Sequence, residues 1–161
     1  AGRVSAIPKE VHTMFSSAHN RSRAVQAYRA QSAEGGVADA SPHQLIRLLL
    51  EGLQQSINAA RGALQRGDLA LKGREITRAV DILEQGLLGA LDLKRGGSVA
   101  HNLEALYDYC MRRLTWANLH NDDAALAEVA QLIAPVLDGW NAIGPDAASL
   151  QHESPAPLAN A

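Results

Sequence analysis

The stretch SPHQLIRLLLEGLQQSINAARGALQRGDL, residues 41–69, reads as one amphipathic helix and the start of another, and that reading decides the fold. Ser41 offers a capping hydroxyl, Pro42 suits the first helical position, and Gln44 completes a capping-box pattern. Leu45, Leu49, Leu53, Ile57, Ala60 and Leu64 then recur at threes and fours, the period of a helix with one buried face. Ile46 and Leu50 widen this stripe enough for two neighbours to pack on it. Gly67 fits the position after a helix end, and Asp68 can cap the next helix. The tripeptide Arg66-Gly67-Asp68 also matches a cell-adhesion motif, but a tight helix–helix turn needs the same Gly and Asp for backbone reasons.

Outward from this stretch the pattern repeats. A helix is predicted from about Leu69 to Leu93, with Ile76, Val80, Leu83, Leu87 and Leu91 inward. Lys94 and Arg95 complement its dipole and Gly96-Gly97 stop it. Ser98 is the expected cap of the next helix, whose inner face is Val99, Leu103, Leu106, Cys110, Leu114 and Ala117. Asp122 or Asp123 caps a last helix, with Leu126, Val129, Ile133, Val136, Leu137 and Trp140 inward. Pro135 inside it should produce a kink. No alternating strand pattern occurs. Four helices of about 20 residues joined by short loops predict an all-α, antiparallel up-and-down four-helix bundle over residues 41–143.

The flanks differ. Residues 1–13 show no periodicity and precede Met14-Phe15, as a leader added to a natural start would. Residues 14–40 hold a short, weakly amphipathic helix from Ser16 to Arg29, with Val25 and Tyr28 as its apolar members, and then a loop with Gly35 and Gly36. Residues 144–161 are rich in Pro, Ala and Ser and are expected to be disordered.

Composition narrows the function. The 161-residue chain carries 15 basic and 17 acidic residues, so it lacks the basic footprint of a nucleic-acid binder. No apolar run approaches the ~20 residues of a membrane span, and no secretory-signal order appears at the start. The single cysteine requires no oxidising compartment. These features predict a soluble, cytoplasmic protein.

Residues 98–118, SVAHNLEALYDYCMRRLTWAN, hold Tyr107, Tyr109, Trp116, His101 and Cys110. A Cys110–His101 nucleophile pair would be separated by about 13 Å along one helix, beyond hydrogen-bond reach. The paired Glu-x-x-His motifs of a di-iron bundle are absent, as are phosphate loops and zinc motifs. No catalytic, cofactor or metal site is expected. Tyr107 falls beside the core stripe, whereas Tyr109 and Trp116 point elsewhere and suit a binding rim. Gly52, Gly62, Gly73, Gly86, Gly89 and Gly139 lie inside predicted helices at a cost of about 1 kcal/mol each relative to Ala. With the broad stripes, they suggest grooves for another chain. A self-associating bundle and a cofactor-holding bundle remain as alternatives to a binding protein.

The spacing is similar to that of a known family. VQAYRAQS, ASPHQLIRLLLEG, RGDLALKGREITRAVDIL and LDLKRGGSVAHNLEALYDYCMRRLTWANLHND, followed by LAEVAQLI and Trp140, run from about Val25 to Trp140. In combination they resemble the flagellar secretion chaperone family, FliS. Leu50 stands where the family commonly has an aromatic, and Pro135 falls in a helix that is usually continuous. The resemblance implies a cytoplasmic export chaperone, not an enzyme. Such a chaperone holds the disordered C-terminal segment of flagellin as an extended chain with helical pieces, prevents premature polymerisation and accompanies it to the flagellar type III export apparatus. Client contact is then expected on the broad stripes, where Leu45, Leu49, Leu53, Leu103, Leu106, Tyr107 and Cys110 divide between core and client groove, a division that sequence leaves open. The resemblance places contact with the export gate protein FlhA at Val25 and Tyr28. A homodimer of the free chain stays open.

Overall fold

The computed structural model describes residues 40–144. The expected N-terminal helix with Val25 and Tyr28, the stretch 1–13 expected to be an added leader, and the residues beyond Gly144 lie outside them. The described residues form four helical regions and no strand. These are α1 (Pro42–Gln65), α2 (Leu69–Asp81) continued by a π-helical segment (Ile82–Leu88), α3 (Gly97–His120) and α4 (Asp123–Ile143).

The start of α1 follows its sequence closely. The Ser41 hydroxyl accepts from the Gln44 amide at 3.2 Å, and the Gln44 side chain accepts from the Ser41 amide at 3.0 Å. The helix ends at a turn in which Gly67 has φ +74°, a conformation that glycine adopts without a Cβ penalty. Asp68 then caps α2 by accepting from the Leu71 amide. Asp122, rather than Asp123, caps α4 by accepting from Ala125.

Helix α1 packs on both α2 and α4, and α3 packs on the same two. The widened stripe of α1 serves this double role, with Leu49, Leu50, Leu53, Ile57 and Ala60 buried. Three side-chain ties run between α1 and α4. His43 meets Trp140, Gln54 Nε2 donates to the Ala130 carbonyl at 2.9 Å, and Arg61 meets Asp123. Their reversed order makes the two helices antiparallel. A buried Lys72 joins α2 to the end of α3, its Nζ donating to the Asn118 carbonyl at 2.8 Å and to Asn121 Oδ1 at 2.5 Å. This puts a cation at the helix end whose carbonyls carry partial negative charge. The chain reverses at Asn121, whose φ of 52° is a left-handed conformation that asparagine tolerates.

Three local expectations are corrected. The helix predicted to Leu93 changes to π geometry at Ile82 and leaves helical structure after Ala90. Its buried residues, Ile82, Leu83, Gly86 and Leu87, recur at fours, which suits hydrogen bonds closing over five residues instead of four. Ser98 does not cap α3. Gly96 occupies the cap position with no side-chain bond, and Gly97 begins the helix at φ +55°. A Cβ on Gly96 would lie 2.5 Å from the Ala100 Cβ and 2.7 Å from the Asp92 carbonyl oxygen, so the turn is too close for any other residue. The Asp92 carboxylate accepts from the amides of Lys94 and Arg95 and shapes this turn. Val99, expected inward, is 66% exposed because of this start. Helix α4 runs through Pro135, as its predicted extent to Trp140 requires. The proline withholds one amide from the Gln131 carbonyl, but partly buried Val136, Leu137 and Trp140 hold the remainder of the helix on the core.

Candidate functional site

The residues of α3 that could support chemistry are placed where they cannot. Tyr107 is buried, and desolvation pushes its phenol up to about 12. Cys110 is fully buried, and desolvation pushes its thiol up to about 11, so almost no thiolate forms near neutrality. His101 is exposed and its Nδ1 lies 2.8 Å from the Gly97 carbonyl oxygen of its own helix, directed away from Cys110. His43 and His120 are likewise engaged with Trp140 and Trp116. Among the described residues no group of three or more His, Cys, Asp or Glu is arranged to hold a metal ion.

The apolar residues chosen from sequence divide into two sets. Leu45, Leu49, Leu53, Tyr107 and Cys110 lie in the core, at 7% exposure or less. Leu103 and Leu106 pack against that core with part of each side chain open. The register of α3 on α4 shows what stands beside them. Arg113 Nε donates to Glu128 Oε2 at 2.7 Å across the pair. Two turns back from Arg113 and two turns on from Glu128 bring Leu106 level with the second half of α4. There Leu132 and Val136 are also partly open. Val99, one turn before Leu103, and Ile143 at the end of α4 are exposed. Apolar side chains from both helices therefore flank one seam at the end of the molecule where α3 starts and α4 finishes.

This end is held by polar ties. His43 and Trp140 stack with ring centroids 5.0 Å apart and an interplanar angle of 12°. The Trp140 indole donates to the His43 carbonyl at 3.0 Å, and His43 Nε2 lies 3.1 Å from the Trp140 carbonyl oxygen. This clasp keeps the last turns of α4 on the first turn of α1. Farther along, Glu128 accepts from the Tyr109 hydroxyl as well as from Arg113. Those bonds, Tyr109 first, hold the Glu128 carboxyl below its usual range. At the opposite end Arg61 grips Asp123 with two bonds of 2.8 and 3.0 Å, lowering the Asp123 carboxyl.

Sequence reasoning missed Leu132 and the His43–Trp140 clasp. Leu132 lies beside the strongest stripe of α4, next to the buried Ile133. The clasp joins residues 97 apart in the chain, a separation that local periodicity does not reach. It also took the interior glycines together as grooves for a partner. Gly86 is filled from within, since a Cβ there would lie 3.0 Å from Leu49 Cδ2.

The family model described as flagellar protein FliS matches residues 24–147. The flagellar secretion chaperone FliS of Salmonella typhimurium is 42% identical over 123 residues, covering 76% of this chain and 91% of the relative. The flagellar secretion chaperone FliSB of Pseudomonas aeruginosa is 43% identical over 121 residues, covering 75% of this chain and 95% of the relative. The Bacillus subtilis flagellar secretion chaperone FliS is 30% identical over 107 residues, covering 66% of this chain and 78% of the relative.

Proposed function

Since the chain belongs to the flagellar protein FliS family, a family of chaperones and not of enzymes, we propose that it is a cytoplasmic flagellar export chaperone. Its client is the disordered C-terminal segment of flagellin. Holding that segment prevents premature polymerisation and keeps flagellin ready for the type III export apparatus. We further propose that the four helices form an antiparallel up-and-down bundle. The reversed ties between α1 and α4 and the packing of each helix on two others support that arrangement.

The observation that carries the reading is the pairing of a family match with a partly open apolar seam. Leu103 and Leu106 contact the client directly, with Leu132 and Val136 opposite. Leu45, Leu49, Leu53, Tyr107 and Cys110 form the buried floor beneath and are reached only where the seam widens. An extended apolar segment gains affinity by covering such side chains, at about 25 cal/mol for each Å² removed from water. The chain has no helix long and apolar enough to cross a membrane among its described residues.

Delivery is assigned to the N-terminal segment. Val25 and Tyr28, three residues apart, would share one face of a helix, and the family resemblance makes them the contact for the export gate protein FlhA. Tyr28→Ala is expected to leave flagellin binding intact and to weaken binding of the loaded complex to the gate's cytoplasmic domain in calorimetry. Lost flagellin binding with intact gate binding would reverse the two roles.

Capture of flagellin on the immobilised chain tests the client assignment. Full-length flagellin is expected to be retained and flagellin without its C-terminal segment to be lost. Leu103→Asp with Leu106→Asp is expected to weaken capture by tenfold or more, roughly 1.4 kcal/mol, while leaving the helical signal unchanged. Equal capture of both flagellins would overturn the reading.

A further inference from the structure

The apolar seam opens beside the point where the chain leaves the last helix. On α4, Leu132, Val136, Gly139 and Ile143 recur at threes and fours, in step with Glu128, which bonds Arg113 of α3. On α3, Val99, Leu103 and Leu106 recur in the same way. Val99 is 66% exposed and Ile143 56%, and a Cβ at Gly139 would meet nothing within 4 Å, so the α4 side has room there. Directly after Ile143, Gly144 ends the helix at φ +69° and ψ 172°, a conformation essentially reserved for glycine. Pro145 follows and has no amide with which to continue the helix. The chain thus turns off the helix axis at the open end of the seam. We propose that residues 145–161 of this chain dock on the seam and are its occupant when no client is bound.

Reach, composition and charge select that segment. Leu150 and Leu158 are its large apolar side chains. Leu150 stands seven residues past Ile143, a reach of up to about 24 Å, and the seam from Ile143 back to Leu132 spans about 16 Å of α4. Pro155 and Pro157 favour extended backbone in the residues before them, which lowers the entropy lost on docking. Residues 145–161 carry Asp146 and Glu153 and no Lys or Arg. Lys94 and Arg95 stand exposed in the turn that enters α3, at the same end of the molecule. The Arg95 side chain is 90% exposed and its pairing with Asp92 is long, at 3.9 Å, so it is available to a second carboxylate. The family match ends at residue 147, so residues 148–161, with both leucines, lie beyond it. Tethering supplies an effective concentration of the order of millimolar. A contact of millimolar intrinsic strength is then about half occupied, which a client of higher affinity displaces.

A paramagnetic label on Ser154→Cys in the full chain tests the docking, since Cys110 is fully buried and does not take the label. The amide signals of Leu103, Leu106, Leu132 and Val136 are expected to broaden, and those of Leu69 and Leu119 at the opposite end to stay sharp. Adding Leu150→Asp with Leu158→Asp is expected to remove the broadening. An isotope-labelled chain without the paramagnet, mixed with a paramagnetic chain without the isotope, is expected to show none. Competition with the client rests on the flagellin reading. The two aspartates are expected to tighten binding of the flagellin C-terminal peptide about twofold, by freeing the occupied half of the seams. Broadening at the seam with no peptide bound by either chain would remove the flagellin reading and leave the docking standing. Sharp seam signals would give the seam to another occupant and overturn the proposal. Broadening that survives the two aspartates, or that appears in the mixed sample, would overturn it too, as would a peptide affinity that the aspartates leave unchanged.

Discussion

Ser56 lies in the middle of α1, 1% exposed, and its hydroxyl has no hydrogen-bond partner among the described residues. A buried hydroxyl without a partner costs on the order of 1–3 kcal/mol. Ser56→Ala removes that cost, improves helix propensity and leaves little space empty. It is expected to raise the urea midpoint, by about 1 kcal/mol of stability. A lower midpoint would mean that the hydroxyl is partnered in solution. Tyr107 and Cys110, one turn apart on α3, make an alkaline prediction. Burial raises both groups, to about 12 and about 11. The folded chain therefore retains protons that the unfolded chain loses, and stability must fall as pH rises above the unfolded values of roughly 8.5 for cysteine and 10 for tyrosine. Denaturation midpoints from pH 8 upward are expected to decline, and Cys110→Ala is expected to remove the earlier part of the decline. A flat profile to pH 11 would contradict the burial of both groups.

Two glycines separate close packing from open helix surface. At Gly86 in the π segment, an added Cβ would meet Leu49 Cδ2 at 3.0 Å and Cδ1 at 3.2 Å. Gly86→Ala is expected to destabilise, because Leu49 is 3% exposed and has little room to move. At Gly139 in α4 an added Cβ would meet nothing within 4 Å. Gly139→Ala is expected to stabilise by about 1 kcal/mol through helix propensity alone. Thermal midpoints that move in the same direction for both would contradict the packing described for α2 on α1. These glycines also show what sequence can convey. The ends of α1 and the caps of α2 and α4 were legible because Ser41, Gly67, Asp68 and Asp122 act on neighbouring amides. The π segment was not, since Leu83, Leu87 and Leu91 satisfy a helical period of either width. The start of α3 was misplaced because the close approach of Gly96 to Asp92 and Ala100 is a matter of space, not of residue type. The candidate site was partly legible. Periodicity identifies the strongest leucines, and in a small bundle those are core first, as Leu45, Leu49 and Leu53 are. The side chains that keep an open edge, Leu103 and Leu106, carry the same pattern and are told apart only once α4 is placed beside them.

At the scale of the whole chain, cohesion relies on few polar ties and a core of aliphatic side chains. Arg61 holds the Asp123 carboxyl below its ordinary value, and Tyr109 and Arg113 do so for Glu128. The stability these pairs contribute is present above the unfolded carboxylate range and is lost as pH falls through the lowered values. Because both pairs are partly exposed, the loss is modest and salt-sensitive. The His43–Trp140 clasp closes the end of the molecule that bears the apolar seam. A chaperone with such a seam carries exposed apolar surface until its client covers it, so client binding and folding stability are linked. Ligand that binds only the folded chain adds about 2.7 kcal/mol at a free concentration one hundred times its dissociation constant. Thermal unfolding of the full chain, alone and with a saturating peptide of the flagellin C-terminal segment, measures that linkage most directly. The account predicts a rise of several degrees in the midpoint, abolished by Leu103→Asp with Leu106→Asp. An unchanged midpoint at saturating peptide would contradict it.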